Sequence, residues 1–339
     1  MMNAKMRIGL DIGGANIKVA SSDCSIARTI YAPLWKDRTA LHRILSAISY
    51  EDGAEGREEL RSASVGVVMT GQLCDCFRTK AEGIIFIKNA VVSIFRGAKF
   101  FSTNCSFENA SVVDSHPLLF DATNWLASSF YLSKDMKNFI FTDVGSTTTD
   151  VIPVVKGEIR AAKRDYERLM RNELIYEGVL RTNIAFICRK FRIKGVECAA
   201  SSELFAITAD AYLALGLLSE EGYTCDTPES GGAERTKEAA LRRLSRVVCA
   251  DLEEIGHDVA MDIARQVRDA QVKHLADALR EKRERYNINV VFSAGIGEFI
   301  VREAADMINM ETISASEIYG KDISAVFPSF AVSNLLSDF

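Results

Sequence analysis

Residues Phe141–Val155 read "FTDVGSTTTDVIPVV", and Ile8–Ala20 read "IGLDIGGANIKVA". Each is an apolar run ending in Asp-x-Gly, a short turn of small hydroxyl or amide residues, and a second apolar run, the pattern of a β-hairpin. One chain thus writes the same glycine turn twice, with Asp11 at the mouth of the first and Asp143 at the mouth of the second.

The flanking sequence repeats as well. Residues 6–11, 16–21 and 27–32 are short β-branched or apolar runs separated by turn residues, and predict an antiparallel meander. "LHRILSAISYE" follows, with Leu41, Ile44, Leu45 and Ile48 at helical spacing, then "SASVGVVMTG", a continuous apolar run fit for a strand buried on both faces. In the second half "FIFTDVG", "TDVIPVV" and "GEIRAA" form another meander, with Lys156-Gly157 as a turn. Helical patterns come next. In "LRRLSRVVCADLEEI" Leu241, Leu244, Val248, Leu252 and Ile255 line one face, and "VAMDIARQVRDAQVKHLADAL" is a second helix. "INVVFSAGIG" then supplies the buried strand and its terminal glycines, Gly295 and Gly297. The prediction is an α/β chain of two like units, 1–136 and 137–339. The first crossing falls in the polar "LSKDMKN" near Lys134–Asn138, and the segment from Ser314 returns to pack on the first unit.

Bulk composition restricts the function. The chain has 339 residues, 48% hydrophobic and 26% charged, enough for two cores, and its net charge of −5 lacks the basic stripe that nucleic acid requires. No run approaches the roughly 20 apolar residues of a membrane span. A cytoplasmic protein without nucleic-acid or membrane partners is expected, its oligomeric state left open and compatible with a dimer. Most of the eight cysteines read as buried small apolar residues, Cys74 and Cys76 being spaced too tightly for a relaxed disulfide. His42, His116, His257 and His274 show no metal-ligand spacing and read as surface or core residues.

Two such hairpins facing across a cleft would suit a di- or triphosphate. Glycine lets backbone amides approach a phosphate with no Cβ in the way, and Ser146, Thr147 and Thr148 add hydroxyls. Gly13, Gly14 and Asn16 form the corresponding first turn, with Gly145 opening the second. Asp11 and Asp143 would repel bare phosphate, so the pattern implies magnesium, with both aspartates as its candidate ligands. Lys18 would place a positive charge on a phosphate oxygen.

With both hairpins and the late "SAGIG" turn in hand, the chain resembles the superfamily of sugar kinases, Hsp70 chaperones, actin and the hydantoinase/oxoprolinase proteins. That implies a duplicated ribonuclease H-like fold (actin/Hsp70/sugar kinase type) of two domains with an interdomain cleft, and a nucleotide-side loop at Gly295 and Gly297. "DIGGANIK", "NWLAS", "FTDVGSTTTDVIPV", "YEGVLRTN", "ITADAYLALG" and "RRLSRVVCADLEE", spread from Gly9 to about Leu336, further resemble the archaeal branch of hydantoinase-like proteins of methanofuran biosynthesis. Close relatives also occur beside tetrahydromethanopterin-linked one-carbon genes in methylotrophic bacteria.

A member of that branch joins an aminomethylfuran-methyl diphosphate to γ-glutamyltyramine, forming an aryl ether and releasing diphosphate. The resemblance therefore implies a transferase in which the cradle and magnesium act on diphosphate, ATP being compatible but not required. An ATP-dependent kinase or ring-opening hydrolase, and a non-catalytic sensor, are the alternatives. The acceptor phenol, with a pKa of about 10, needs a base. Asp150, which takes the place of Lys18 in the second hairpin, is one candidate and equally a second-layer magnesium residue. Glu177 of "YEGVLRTN" is another, and Arg181 of the same motif is a candidate partner for a carboxylate or phosphate. Thr70, Asp75 and Lys80 follow the buried strand and would line a cleft. Gln72 stands where the resemblance implies a glutamate. Residues 219–236 read as a loop or lid, "REKRER" near residue 283 as a solvated helix end, and Trp35 and Trp125 as core.

Overall fold

The computed structural model describes residues 6–50, 60, 63–229 and 234–338. Residues 230–233, in the middle of the expected loop or lid, lie outside them. The chain resolves into two compact units. One comprises residues 1–141, 152–168 and 314–339, the other residues 142–151 and 169–313.

The first unit is built on a six-stranded sheet. Its strands are β1 (Arg7–Ile12), β2 (Asn16–Ser21), β3 (Ala27–Tyr31), β4 (Ser64–Met69), β5 (Lys99–Phe101) and β6 (Phe107–Glu108). They run in the order β3-β2-β1-β4-β5-β6. The β1–β2–β3 meander is antiparallel and β1 pairs β4 in parallel. β4 is buried along almost its whole length, as its unbroken apolar run requires of a strand covered on both faces. The helix Ala40–Ile48 buries Leu41, Leu45 and Ile48 against one side.

On this sheet two glycines matter. Gly9 and Gly66 are cross-strand neighbours in the β1–β4 pair. A Cβ on Gly9 would sit 1.8 Å from the Ser329 carbonyl oxygen, and one on Gly66 would sit 2.6 Å from Val332 Cγ1. The paired glycines thus make a flat strip on which the C-terminal helix Phe327–Leu335 lies, with Phe327, Ala331, Val332 and Leu335 buried. Ser329 Oγ also donates to the Lys18 carbonyl at 3.0 Å.

The second sheet contains β7 (Asn138–Val144), β8 (Thr149–Val155), β9 (Glu158–Ile159), β10 (Leu174–Ile175), β13 (Val290–Ala294) and β14 (Glu311–Ser314), with β11 (Lys190–Ile193) and β12 (Val196–Ala199) forming a separate ribbon. Its order is β10-β8-β7-β13-β14, with β9 also on β8. This repeats the β3-β2-β1-β4-β5 order, so the fold is a duplicated ribonuclease H-like plan. The Lys156-Gly157 turn carries positive φ at both residues (53° and 80°), as a two-residue hairpin turn demands.

Several local expectations are corrected. "GEIRAA" is a strand only at Glu158–Ile159. The single helix expected over 241–255 is two, Lys237–Arg246 and Leu252–Ile255, because Cys249 enters the left-handed region (φ 58°). "REKRER" is the end of a thirty-residue helix, His257–Tyr286, but is not fully solvated. Lys282 is wholly buried and donates to the Arg171 carbonyl. All eight cysteines are free thiols, yet only Cys188 and Cys225 are buried, while Cys24 and Cys249 are exposed. Trp125 is core, stacked under the Arg168 guanidinium at 4.3 Å. Among the described residues no helix is long and apolar enough to cross a membrane.

The glycine strip gives a direct test. Gly9→Ala has to displace the helix backbone and should cost at least about 2 kcal/mol, the scale of overpacking a tight core. Gly97→Ala, where a Cβ meets nothing within 4 Å, should leave the unfolding free energy from urea denaturation within about 1 kcal/mol of the parent, and its midpoint close to the parent's. Equal midpoints for the two variants would refute the close-packing account.

Candidate functional site

Each Asp-x-Gly hairpin is closed by the same backbone bond. The Gly13 amide donates to the Asn16 carbonyl and the Gly145 amide to the Thr148 carbonyl, both at 2.9 Å. Asp11 pairs Lys18 in the β1–β2 register, and the same offset from the turn puts Asp150 at the corresponding place in β8. Asp11, Asp143 and Asp150 are all buried, whereas Lys18 is half-buried.

The first turn is crowded. A Cβ on Gly13 would meet the Asn16 carbonyl at 2.8 Å, and one on Gly14 would meet Cys74 Sγ at 2.8 Å. Its carbonyls are engaged: Ala15 O accepts from Ala32 N, Gly14 O from Leu34 N and Ile12 O from Thr70 N. Just after Thr70, Gln72 is buried and donates through Nε2 to Asp121 Oδ1 at 2.6 Å, while Lys80 pairs Asp121 Oδ2 at 2.6 Å. Gln72 therefore serves as a neutral donor to a carboxylate that Lys80 already compensates. Asp75 enters none of these contacts.

The second turn is held more completely. Val144 O accepts from Gly297 N, Gly145 O from Val179 N, and Ser146 O from both Leu180 N and Arg181 N, all at 3.0 Å. Three further glycines permit that docking. A Cβ on Gly178 would lie 2.4 Å from Thr147 N, one on Gly295 would lie 2.2 Å from Asp143 Oδ1, and one on Gly297 would lie 2.4 Å from Val144 Cγ1. Gly295 and Gly297 thus shape the seat of β7, and the Gly297 amide is spent inside the protein. Gly145 itself is not crowded, its nearest would-be contact being 3.5 Å.

Around this turn the structure assembles side chains from distant sequence. Ser146 and Thr147 hydroxyls lie 3.5 Å apart, and Arg181 Nη1 stands 3.4 Å from Thr147 Oγ1. Thr149 Oγ1 donates to the Glu177 carbonyl at 2.7 Å. From the long helix His257–Tyr286, Gln271 Nε2 donates to the Gly178 carbonyl at 3.2 Å, and its Oε1 accepts from the Tyr212 hydroxyl at 2.8 Å. One turn further on, His274 Nδ1 lies 2.9 Å from Glu177 Oε1. The sequence reading left His274 among unassigned histidines. A buried glutamate beside a glycine turn was the one available signal, and it did not name its partner 97 residues away.

Electrostatics follow from this packing. The hydrogen bond that His274 donates to Glu177, aided by the charges of Glu177 and Asp277 against partial burial and Lys273, holds the His274 imidazole pKa above its ordinary value. Burial pushes the nearby Cys188 thiol up to about 11, with the Glu177 charge adding to the shift.

Among the described residues no three His, Cys, Asp or Glu side chains form a metal cluster. A closed protein cage for a metal is therefore not built there. Magnesium does not need one: it takes one or two carboxylates and fills its remaining positions with water and phosphate oxygens. Asp143, a buried carboxylate pressed onto the Gly295 backbone beside a hydroxyl-bearing turn, has the hard-oxygen chemistry that suits it.

Comparison with known proteins gives concordant findings. A family model for hydantoinase/oxoprolinase matches residues 64–338. The chain is 39% identical over 335 residues, 98% of its length and 97% of the relative's, to the (4-{4-[2-(gamma-L-glutamylamino)ethyl]phenoxymethyl}furan-2-yl)methanamine synthase of Methanocaldococcus jannaschii. It is 40% identical over 206 residues, 60% of its length and 92% of the relative's, to the synthase of the same name from Methanococcus vannielii. Among solved structures, nucleotide-free acetone carboxylase aligns over 97% of this chain and 70% of its own at a TM-score of 0.56 and 11% identity, a likeness of fold.

The seat of the second turn is testable by substitution. Gly178→Ala should displace the Thr147 amide and lower turnover by about 10²-fold, the penalty for a misplacement near 1 Å. It should also speed amide exchange at residues 144–149. Gly145→Ala has room for its methyl and should leave exchange there unchanged, and equal exchange in the two variants would contradict the assigned packing.

Proposed function

Since the chain belongs to the hydantoinase/oxoprolinase family, we propose that it is an ether-forming transferase that joins an aminomethylfuran-methyl diphosphate to γ-glutamyltyramine and releases diphosphate. The observation that carries this reading is the near full-length identity to the M. jannaschii synthase, whose name specifies a phenoxymethyl-furan product. The second-turn geometry agrees with it. Ser146, Thr147, Thr148 and Arg181 gather hydroxyl and guanidinium donors, and the carbonyls of Val144, Gly145 and Ser146, which would repel an anion, are turned into hydrogen bonds.

In this reading Arg181 and the turn-tip amides and hydroxyls of Ser146 and Thr147 are the proposed phosphate contacts of the second turn, and Lys18, Gly13, Gly14 and Asn16 are those of the first turn. Asp11 and Asp143 are the proposed magnesium ligands. The ion would neutralise charge that develops on the leaving diphosphate. A furfuryl carbon ionises readily once its leaving group is stabilised, so the protein's main task is to hold diphosphate and exclude competing water. Asp150, buried in β8, is placed here as support for that carboxylate set rather than as the group that meets the acceptor.

The test is an assay of the purified protein with magnesium, the furfuryl-type diphosphate and γ-glutamyltyramine, without ATP, reading diphosphate and ether by mass spectrometry. Ether formation is expected, and Asp143→Asn, which keeps the side-chain shape, should reduce it by about 10²–10³-fold. ATP consumption with no ether would overturn the reading in favour of a kinase or hydrolase.

A further inference from the structure

Two groups in the second unit form an acid–base pair that the sequence did not reveal. Glu177 is 5% exposed, and its Oε2 is sealed from solvent with no hydrogen-bond partner among the described residues. Its Oε1 faces His274 Nδ1 at 2.9 Å, and the His274 side chain is 42% exposed. The pair is asymmetric: a carboxylate that nothing outside can reach, touching an imidazole that reaches solvent.

We propose that His274 is the general base that takes the proton from the acceptor phenol, and that Glu177 is the positioning residue that holds the imidazole for it. This rests on the ether-synthase reading above and assigns its acid–base step.

The argument is geometric first. A substrate proton cannot meet Glu177 Oε2 without unpacking the site, so Glu177 cannot itself be the group that receives it. A carboxylate oxygen only accepts, so the bond at 2.9 Å requires the hydrogen on His274 Nδ1. That leaves Nε2, on a side chain 42% exposed, with the lone pair. The same logic sets the imidazole in acyl-transfer triads, where a buried carboxylate fixes the tautomer and stabilises the imidazolium that forms.

The pair is also built on rigid parts. Gln271 and His274, three residues apart on one helix, both grip the Glu177-Gly178 segment, and Gly178 is the residue that cannot carry a Cβ beneath Thr147. The base and the anion-holding turn are therefore fixed to one short stretch of chain.

The step balances. The phenol O–H proton passes to His274 Nε2, the phenol oxygen forms the new bond to the furfuryl methylene, and the bond from that carbon to the diphosphate oxygen breaks with its electron pair leaving on diphosphate. The imidazolium then releases its proton to water. The groups that bear on its titration are Glu177 from the facing segment and Asp277 and Lys273 from its own helix; Arg181 lies beside the adjoining turn, and Cys188 and Tyr212 lie near Glu177. The raised imidazole pKa narrows the gap to a phenol of about 10, which favours proton transfer.

His274→Gln and Glu177→Gln test this in the full chain, with circular dichroism and a thermal melt to confirm folding. His274→Gln should lower kcat for ether formation by at least about 10²-fold, at the low end for a general base, and added imidazole should restore part of the rate to His274→Ala. A base acts when neutral, so wild-type activity should rise with pH through a limb lying above the ordinary histidine value. Glu177→Gln should move that limb down, and the nuclear magnetic resonance titration of His274 should move down with it. Full kcat in His274→Gln, or a limb and titration unmoved in Glu177→Gln, would overturn the assignment. Absence of ether from the wild-type protein would instead overturn the substrate reading, while the titration shift separately reports the pair.

Discussion

The second glycine turn depends on clearance. Thr147, Asp143 and Val144 each occupy space that a single methyl group on Gly178, Gly295 or Gly297 would take. Because those positions are glycine, the backbone of the turn can sink far enough for its carbonyls at 144, 145 and 146 to be met by four amides at 3.0 Å. That matters electrically as much as sterically. A carbonyl is the negative end of a peptide dipole, and a turn whose carbonyls are spent inward presents the rest of itself, amides and hydroxyls, to a ligand. Close packing and the engagement of the three carbonyls are consequences of one backbone placement.

The two hairpins share that turn but differ in what surrounds it. In the first, glycines inside the turn are the crowded ones, and Lys18 stands opposite Asp11. In the second, Gly145 has room, the crowded glycines lie on neighbouring segments, and a buried aspartate replaces the lysine. The first turn is therefore specified partly within itself, where Gly13 faces the Asn16 carbonyl, and partly by Cys74 against Gly14, while the second is specified by neighbouring segments as far along the chain as Gly297. Of these close contacts, only that of Gly13 with the Asn16 carbonyl lies within its own turn.

This difference decides what could be read from sequence. The succession of meander, helix and buried strand, and its repetition, were legible in the sequence because period and turn chemistry are local. The helix over 241–255 was misread because apolar spacing continues through Cys249 while the backbone there does not; one residue at φ 58° ends a helix without disturbing its hydrophobic pattern. Lys282 was read as solvated because lysine usually is, yet its ammonium caps a carbonyl at Arg171 from a buried stem. The Gly9–Gly66 strip was invisible since each glycine looks like an ordinary strand interruption until parallel register sets them side by side. His274 was missed for the same reason: its meaning lies in a partner 97 residues away.

The segment read as a loop or lid shows a last effect of long-range pairing. Tyr223 is wholly buried with its hydroxyl on Asp210 at 3.0 Å, and Arg243 joins Asp210 at 2.8 Å while also contacting Glu229 and the Glu234 carbonyl. An isolated buried aspartate or arginine would be strongly unfavourable, but here each charge is matched and hydrogen-bonded. Asp210 also caps the Thr208–Ala214 helix by accepting from the Ile207 amide. One carboxylate thus ties three features, the helix start, Tyr223 and the Lys237–Arg246 helix, and tethers the described chain on both sides of residues 230–233. Displacing Tyr223 and Glu229 would have to break the Tyr223–Asp210 hydrogen bond and the Glu229–Arg243 ion pair, while the fully buried Asp210–Arg243 pair joins the two flanking helices.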